Sequence, residues 1–417
     1  MNQFSKFNVV NKGCEYSFVY NTLSGAFVKI STKIFNNIWD ERYSKERESL
    51  LEQGIVTNDE NEIYKYRYQS NNAIYNDKEL ALYITPTMTC NFSCFYCFEG
   101  EIKTRGMMSQ KVEDSIVKFL EKNKERKISI IWFGGEPLLG FKNIMSIVKK
   151  LRKRNIAFES SMITNGSLLT KSKIRCLEEL NLTNIQISLD GPKEIHDERR
   201  FFKHSKKGTF EIILSNIEDV LSSTSIPITI QVAIDKTNNF AYAALLEMLN
   251  NKFPLYMKNR RIRVGYNIVQ DRTGFDKKSL CNTSNDQYHT IIDLFHLDIK
   301  NKMLPALPSR ILPCMYRSTS CFAIDDKGDV FKCIEHLGKP DKKIGNIVEG
   351  FISLQKMAFS ILEKDPFEDL QCKNCNVFPV CGGGCPIDTV EKGEKDCSFH
   401  KTELEKLLPY FYDLYSE

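Results

Sequence analysis

Three cysteines stand in the run Cys90-Asn91-Phe92-Ser93-Cys94-Phe95-Tyr96-Cys97, a CxxxCxxC spacing. Cysteine thiolates bind soft metals, and a fully ligated four-iron cluster takes four of them. A compact trio supplies three, so one iron is left without a protein ligand. That open corner can bind and activate a small molecule. A zinc knuckle uses the same residue type, so the spacing by itself leaves both metals open.

A second group of cysteines lies far downstream. Cys372-x2-Cys375-x5-Cys381-x3-Cys385 is followed by Cys397, and Cys314, Cys321 and Cys333 precede it. Eight thiolates suffice for two closed four-iron clusters or for two tetrahedral zinc sites. The chain has 14 cysteines in 417 residues, and its polar start lacks the apolar core of a secretion signal. A cytoplasmic location is expected, where scattered disulfides do not persist, so metal explains the cysteine count. Cys14, Cys176 and Cys281 fall outside both groups and read as small packing or surface residues. The six histidines show no ligand spacing.

Smaller motifs recur at strand ends. Gly134-Gly135-Glu136-Pro137 permits close backbone approach to a ligand. Asn165 stands in Thr164-Asn165-Gly166, and Ser188 and Asp190 in Ile187-Ser188-Leu189-Asp190-Gly191-Pro192. Arg200 offers a planar fork suited to a carboxylate.

Strand–helix alternation positions these groups. Strands are expected at 80–87, 128–134, 160–164, 184–189, 226–234 and 261–269. Helices are expected near 109–124, 141–154, 170–180, 208–222, 239–250 and 285–300. Six such units imply a parallel sheet with helices outside it, closing as a partial (β/α)6 barrel. Chemistry then sits at the C-terminal strand ends, and the cysteine trio follows the first strand.

Residues 1–78 read as a separate winged-helix-like module. A hairpin pairs 15–21 with 26–30 across a turn at 22–25. Phe35, Ile38 and Trp39 mark a short helix, and Gly54 suits a left-handed helix cap. Short strands are expected at 55–56 and 62–68, then a polar linker over 69–77. Residues 79–302 form the barrel. Residues 303–417 form a cysteine-rich domain that needs staples and ends in an amphipathic helix at 400–415.

Bulk properties narrow the partners. The composition, 42% hydrophobic and 27% charged, is that of a globular protein, without a run long enough for a membrane span. Net charge is +5. The basic runs at 149–154 and 258–263 read as a solvated helix end and a loop, and no nucleic-acid motif accompanies them.

Taken together, the CxxxCxxC loop and Gly134-Gly135-Glu136-Pro137 resemble the radical S-adenosylmethionine (SAM) superfamily. The resemblance implies a [4Fe–4S] cluster on Cys90, Cys94 and Cys97 whose open iron chelates SAM. One-electron cleavage of SAM then gives a 5′-deoxyadenosyl radical. It places Gly134, Gly135, Glu136 and Pro137 at the methionine end of SAM, Ser188, Asp190 and Arg200 near its ribose or carboxylate, Asn165 nearby, and Tyr96 on adenine. The downstream cysteines are similar to those of the SPASM domain, which implies two auxiliary clusters and three [4Fe–4S] clusters in all. By that resemblance Cys314, Cys321, Cys333 and Cys385 hold the nearer one, and Cys372, Cys375, Cys381 and Cys397 the farther.

The family resemblance also implies a function. Such enzymes modify ribosomally made peptides, and their N-terminal element captures a leader peptide as an added strand. The segment Tyr20-Asn21-Thr22-Leu23-Ser24-Gly25-Ala26 is similar to the opening of these maturases. The expected reaction is formation of a cysteine thioether. The partners are a precursor peptide with its leader and an external electron donor such as flavodoxin or ferredoxin, with no nucleic acid and no membrane. A second expectation is an anaerobic sulfatase-maturing, formylglycine-forming enzyme. That family places an aspartate directly after the cysteine equivalent to Cys333, where this chain has Ile334 and then Glu335. The third is a non-enzymatic, zinc-stapled peptide-binding protein.

Overall fold

The computed structural model describes residues 2–97, 106–269, 289, 307, 314–393, 395, 397–398 and 400–415. The expected helix at 285–300, the domain boundary at 302 and Cys281 lie outside the described residues. Packing divides the chain into two units, one of Met1–Tyr75, Thr283–Ser318 and Ile361–Glu417, the other of Asn76–Asn282 and Thr319–Ser360.

In the second unit Leu80, Leu82 and Ile84 are buried while Ala81 and Tyr83 remain half-buried. This period of two builds strand β1 (Glu79–Ile84). The same alternation continues through β2 (Lys127–Trp132), β3 (Glu159–Thr164), β4 (Leu182–Ser188) and β5 (Ile228–Ile234), and it opens β6 (Ile262–Ile268), where Ile262 and Val264 are buried. All six run parallel, each beside its sequence neighbours. Every right-handed crossover in such an order puts its helix on one face. The deeply buried face is therefore the helix side. The half-buried face, carrying Tyr83, Ser161, Gln186, Ser188 and Gln231, is the open interior.

The helices are α1 (Gln110–Lys122), α2 (Phe141–Lys153), α3 (Lys171–Ile174), α4 (Lys193–Arg199), α5 (Phe210–Ser223) and α6 (Ala241–Lys252). Ser109 caps α1 by accepting from the Val112 N–H, and Val112, Ile116, Val117 and Leu120 form its buried stripe. Ile144, Ile147, Val148 and Leu151 do the same for α2. Glu113 joins the two helices by accepting from Asn143, Ser146 and Lys150.

The sheet does not end at β1. Strand β7 (Cys321–Ile324) pairs parallel to it, with Cys321 opposite Ala81. Strands β8 (Asp329–Phe331), β9 (Gly345–Asn346) and β10 (Phe351–Ile352) follow antiparallel, making ten strands. The β7 pairing draws residues 321–352 into the main sheet.

The first unit holds an antiparallel sheet of Asn8–Lys12, Tyr16–Asn21 and Phe27–Ser31. Val19, Phe35, Ile38, Leu50, Ile55 and Val56 form one core beneath it. Gly54 has φ +75° after the helix Ser44–Glu52, as a left-handed cap requires. A second core mixes Phe7 and Tyr66 with Phe367, Cys372 and Phe378, so residues 1–75 share their interior with the C-terminal segment. The helix His400–Tyr415 packs on the first two strands, with the Tyr412 ring 5.4 Å from Phe18.

One local expectation is corrected. Residues 62–68 are not a strand, and 69–77 is not simply a linker, because Glu62–Ile74 is a helix. Tyr64, Tyr66 and Tyr68 mimic a strand's alternation. Burial follows Glu62, Tyr66 and Ile74 instead, while Tyr64 and Tyr68 face solvent.

Candidate active site at the ends of the parallel strands

The cysteine trio lies on the loop after β1, and the loops after β2, β3 and β4 brace it. The Gly135 N–H donates to the Thr87 carbonyl at 3.3 Å, and Glu136 N–H to that of Thr89 at 2.9 Å. A Cβ on Gly135 would stand 2.5 Å from the Met88 carbonyl oxygen, and one on Gly134 (φ +115°) would overlap Thr85. These glycines thus admit the chain's own approach to the cysteine loop.

Glu136 is fully buried, and its carboxylate accepts from Leu138 N–H, Thr164 Oγ1 and Asn165 N–H at 3.0, 2.7 and 2.8 Å. Burial pushes this carboxyl up, and the three donors pull it back. Pro137 opens the turn that follows. Asn165 donates to Asn91 Oδ1 at 2.8 Å and lies 4.0 Å from Cys90 Sγ. Asn91 in turn donates to Ser167 at 3.0 Å. Glu136 and Asn165 therefore fix strand ends to the cysteine loop.

On the other side, Tyr96 is held by its hydroxyl. It donates to Asp190 Oδ2 at 2.6 Å and accepts from Arg200 Nη1 at 2.5 Å. The fully buried Asp190 also accepts from Arg199 Nε at 3.3 Å. Arg199 reaches Asp235 at 3.0 Å, Thr237 at 3.0 Å and the Ala233 carbonyl at 3.1 Å. Adjacent arginines thus differ. Arg199 is engaged on all sides, whereas the buried Arg200 Nε has no partner among the described residues. The hydroxyl of Ser188, at the end of β4, makes no hydrogen bond among the described residues. Arg199, Asp235 and His196 were not read from sequence as part of this site. His196 Nδ1 accepts from Asp190 N–H at 3.2 Å, and its Nε2 meets Thr209 Oγ1, which donates to the Arg200 carbonyl. Only an arginine doublet beside Asp197 hinted at them.

Burial pushes the Cys90 thiol up to about 12, helped by Glu136, Cys94 and Cys97. The Cys94 thiol is also raised by burial and pulled back by Arg200. Such thiols lose their protons when a metal takes the sulfur.

The radical SAM superfamily profile matches residues 84–245, from the end of β1 into α6. The chain has the radical SAM fold. A cysteine-type anaerobic sulfatase-maturating enzyme of Clostridium novyi (strain NT) is 28% identical over 340 residues, 74% of this chain and 88% of its own. The solved structure of native anSMEcpe with bound AdoMet and Cp18Cys peptide has a TM-score of 0.63 at 21% identity, covering 81% of this chain and 98% of that one. Streptococcus suis SuiB bound to precursor peptide SuiA has a TM-score of 0.53 at 14% identity, covering 94% of this chain and 97% of that one. These likenesses between structures are of fold.

The radical SAM match over residues 84–245, with the sulfatase-maturating relatives, makes this protein an enzyme, and that match implies SAM and a [4Fe–4S] cluster. The residues present fit that group. None of the described cysteines is in a disulfide. Among the described residues no three His, Cys, Asp or Glu side chains converge on a single ion. Cys94 and Cys97 both raise the Cys90 thiol, so the three sulfurs lie within electrostatic reach of one another and form one donor set of the kind a cluster takes. The Phe92 N–H donates to Cys90 Sγ at 3.4 Å, and the partnerless Arg200 Nε lies beside this loop.

The chain's other cysteines divide between the units. Cys321 begins β7, and continuing the β7–β8 register sets it opposite Cys333. In the first unit, Cys314, Cys381 and Cys385 line a cavity of about 260 Å³ with Gly382 and Gly384. Cys372 sits on a short turn capped by Asp369, and burial pushes its thiol up to about 11 while Lys395 opposes this. Lys401 Nζ lies 3.8 Å from Cys397 Sγ. His336 is buried. No described helix is long and apolar enough to cross a membrane.

Proposed function

We propose that this radical SAM enzyme matures a ribosomally made peptide, forming a cysteine thioether. Cys90, Cys94 and Cys97 hold the SAM-binding cluster. With SAM bound, that cluster supplies a 5′-deoxyadenosyl radical able to take hydrogen from unactivated carbon. Arg200 directs its unused guanidinium edge to the SAM carboxylate, Ser188 its free hydroxyl to SAM, and Tyr96, fixed by Asp190, presents its ring to adenine. The observation that carries the reading is the difference between the two arginines. One is fully engaged in the fold, and the other keeps a buried donor toward the cysteine loop.

The peptide is captured in the first unit. Among the described residues the strand Phe27–Ser31 pairs on one side only, with Tyr16–Asn21, and its other edge can accept an added strand. The remaining eight cysteines hold two auxiliary clusters, with the 260 Å³ cavity beside Cys314, Cys381 and Cys385 supporting one of them. An auxiliary cluster can take the electron left when a thioether closes. An electron carrier serves the first cluster.

Formylglycine formation is the second reading, favoured by the sulfatase-maturating relatives. Ile334, where that family has an aspartate, counts against it. The experiment is anaerobic reconstitution, then SAM, reductant and the peptide encoded beside the gene. The expected outcome is about twelve irons per chain, 5′-deoxyadenosine, and a peptide lighter by two hydrogens per link. Turnover of a sulfatase-derived peptide to formylglycine, with the neighbouring peptide untouched, would establish the second reading instead. Zinc alone with intact SAM would remove both.

A further inference from the structure

The loop after Arg200 reads Phe201-Phe202-Lys203-His204-Ser205-Lys206-Lys207-Gly208. It folds back on itself, with Phe202 N–H donating to the Lys207 carbonyl at 3.0 Å and Lys206 N–H to that of Phe202 at 2.9 Å. Lys206 takes φ +56°, which closes the turn. The base is pinned, because Asp197 accepts from the Thr209 and Phe210 N–H groups at 2.7 and 2.9 Å. A Cβ on Gly208 would collide with that carboxylate. The hairpin is therefore a fixed surface feature.

It is also joined to the cysteine loop. Ser93 N–H donates to the Phe201 carbonyl at 3.1 Å, and Lys203 N–H to that of Asn91 at 2.8 Å. The Phe92 and Phe202 rings meet edge to face at 5.3 Å. Ser93 adjoins Cys94 and Asn91 adjoins Cys90, so two backbone hydrogen bonds lead from the hairpin to cluster-binding residues. Lys203, His204, Lys206 and Lys207 are all exposed. No ammonium among them is in an ion pair with any described residue.

We propose that this basic hairpin is the docking face for an acidic one-electron carrier protein that reduces the cluster on Cys90, Cys94 and Cys97. The inference rests on the radical SAM reading above. Clustered like charges on a rigid projection concentrate a field that steers an oppositely charged partner. An acidic peptide substrate would feel the same field. The direct backbone link to Cys94 favours electron delivery, since a peptide gains nothing from it. In the step, the carrier loses one electron, the cluster gains it, and no atom is transferred.

The test compares wild type with Lys203→Ser/Lys206→Asn/Lys207→Ser, asparagine being tolerated at the left-handed position. The control, Lys118→Ser/Lys149→Ser/Lys153→Ser, removes the same charge from the exposed sides of α1 and α2. Oxidised bacterial flavodoxin is titrated into cluster-free protein at low and high salt. The hairpin variant should bind about tenfold more weakly at low salt and lose most of the salt dependence, while the control matches wild type. In stopped-flow with reconstituted enzyme, reduction by reduced flavodoxin should slow about tenfold. Reduction by the methyl viologen radical cation should not slow.

Equal effects in both variants would show that net charge alone matters and overturn the proposal. Unchanged flavodoxin binding would do the same, as would a loss confined to peptide affinity, which would assign the hairpin to an acidic peptide. If wild-type enzyme accepts an electron from no donor, the radical SAM reading fails, and titration of the cluster-free protein still decides the docking claim.

Discussion

The two cysteine regions are built on opposite plans. The Cys90–Cys97 loop is irregular and borrows its shape from neighbours: Glu136 and Asn165 on one flank, Tyr96, Asp190 and Arg199 on the other. The Cys372–Cys397 region is built from short turns and three consecutive left-handed glycines, Gly382, Gly383 and Gly384, with φ of 64°, 92° and 81°, and it packs apolar side chains on Phe7 and Tyr66. The first keeps polar groups unengaged, notably at Arg200. The second sets Lys395 and Lys401 beside its own sulfurs.

The largest expected effect separates the regions by outcome. Cys94→Ser and Cys381→Ser should each cost about four irons per chain by colorimetric assay. Only Cys94→Ser should abolish 5′-deoxyadenosine. Cys381→Ser should still cleave SAM but yield no finished peptide by mass spectrometry. Equal loss of SAM cleavage would erase the contrast.

The buried polar network of the first region should matter more to stability than a single turn cap in the second. Asp235→Leu leaves Arg199 with one buried carboxylate partner, and should cost about 3 kcal/mol by urea unfolding of the metal-free protein. Asp369→Ala removes a cap from the Cys372 turn and a half-exposed ion pair with Lys395, together for about 1 kcal/mol. A reversed ranking would mean the network around Tyr96 is not what holds that loop.

Acid should weaken both regions through one histidine each. Burial holds His196 at about 4 and His400 at about 4, against 6.5 for an ordinary histidine. Between those values the unfolded chain takes protons that the fold refuses. The stabilisation is complete above pH 6.5 and is lost as pH falls toward 4, by up to about 1.4 kcal/mol per pH unit for each group. His196→Gln should flatten the dependence of urea midpoints on pH between 7 and 4.5, and His400→Gln should do so independently.

Much of the core was legible because its signals are local. Leu80-Leu82-Ile84 and Ile228-Ile230-Val232 alternate as strands, and Ile144-Ile147-Val148-Leu151 repeats as a helix. The trio and Gly134-Gly135 carry their meaning in spacing. The helix Glu62–Ile74 was misread because tyrosines at alternate positions outweighed a burial period visible only once Phe367 and Phe378 arrive from elsewhere. Strand β7 stayed hidden because four residues paired to a distant strand carry no local mark. Arg199 was indistinguishable from Arg200 until the fold gave one of them four partners. The lysines at 203–207 drew no notice beside longer basic runs. Their significance is positional, and it rests on two hydrogen bonds to Asn91 and Ser93.

The parallel pairing of Cys321–Ile324 with Glu79–Ile84 also sets an order of events during synthesis. The barrel's first strand emerges early, yet one of its two flanks waits until most of the protein has been translated. Until then a row of peptide groups stays open to any passing strand. Ribosome-bound chains halted before β7 should therefore be the species that chaperones hold longest, and slowed translation across 270–320 should raise misassembly more than the same delay after residue 330.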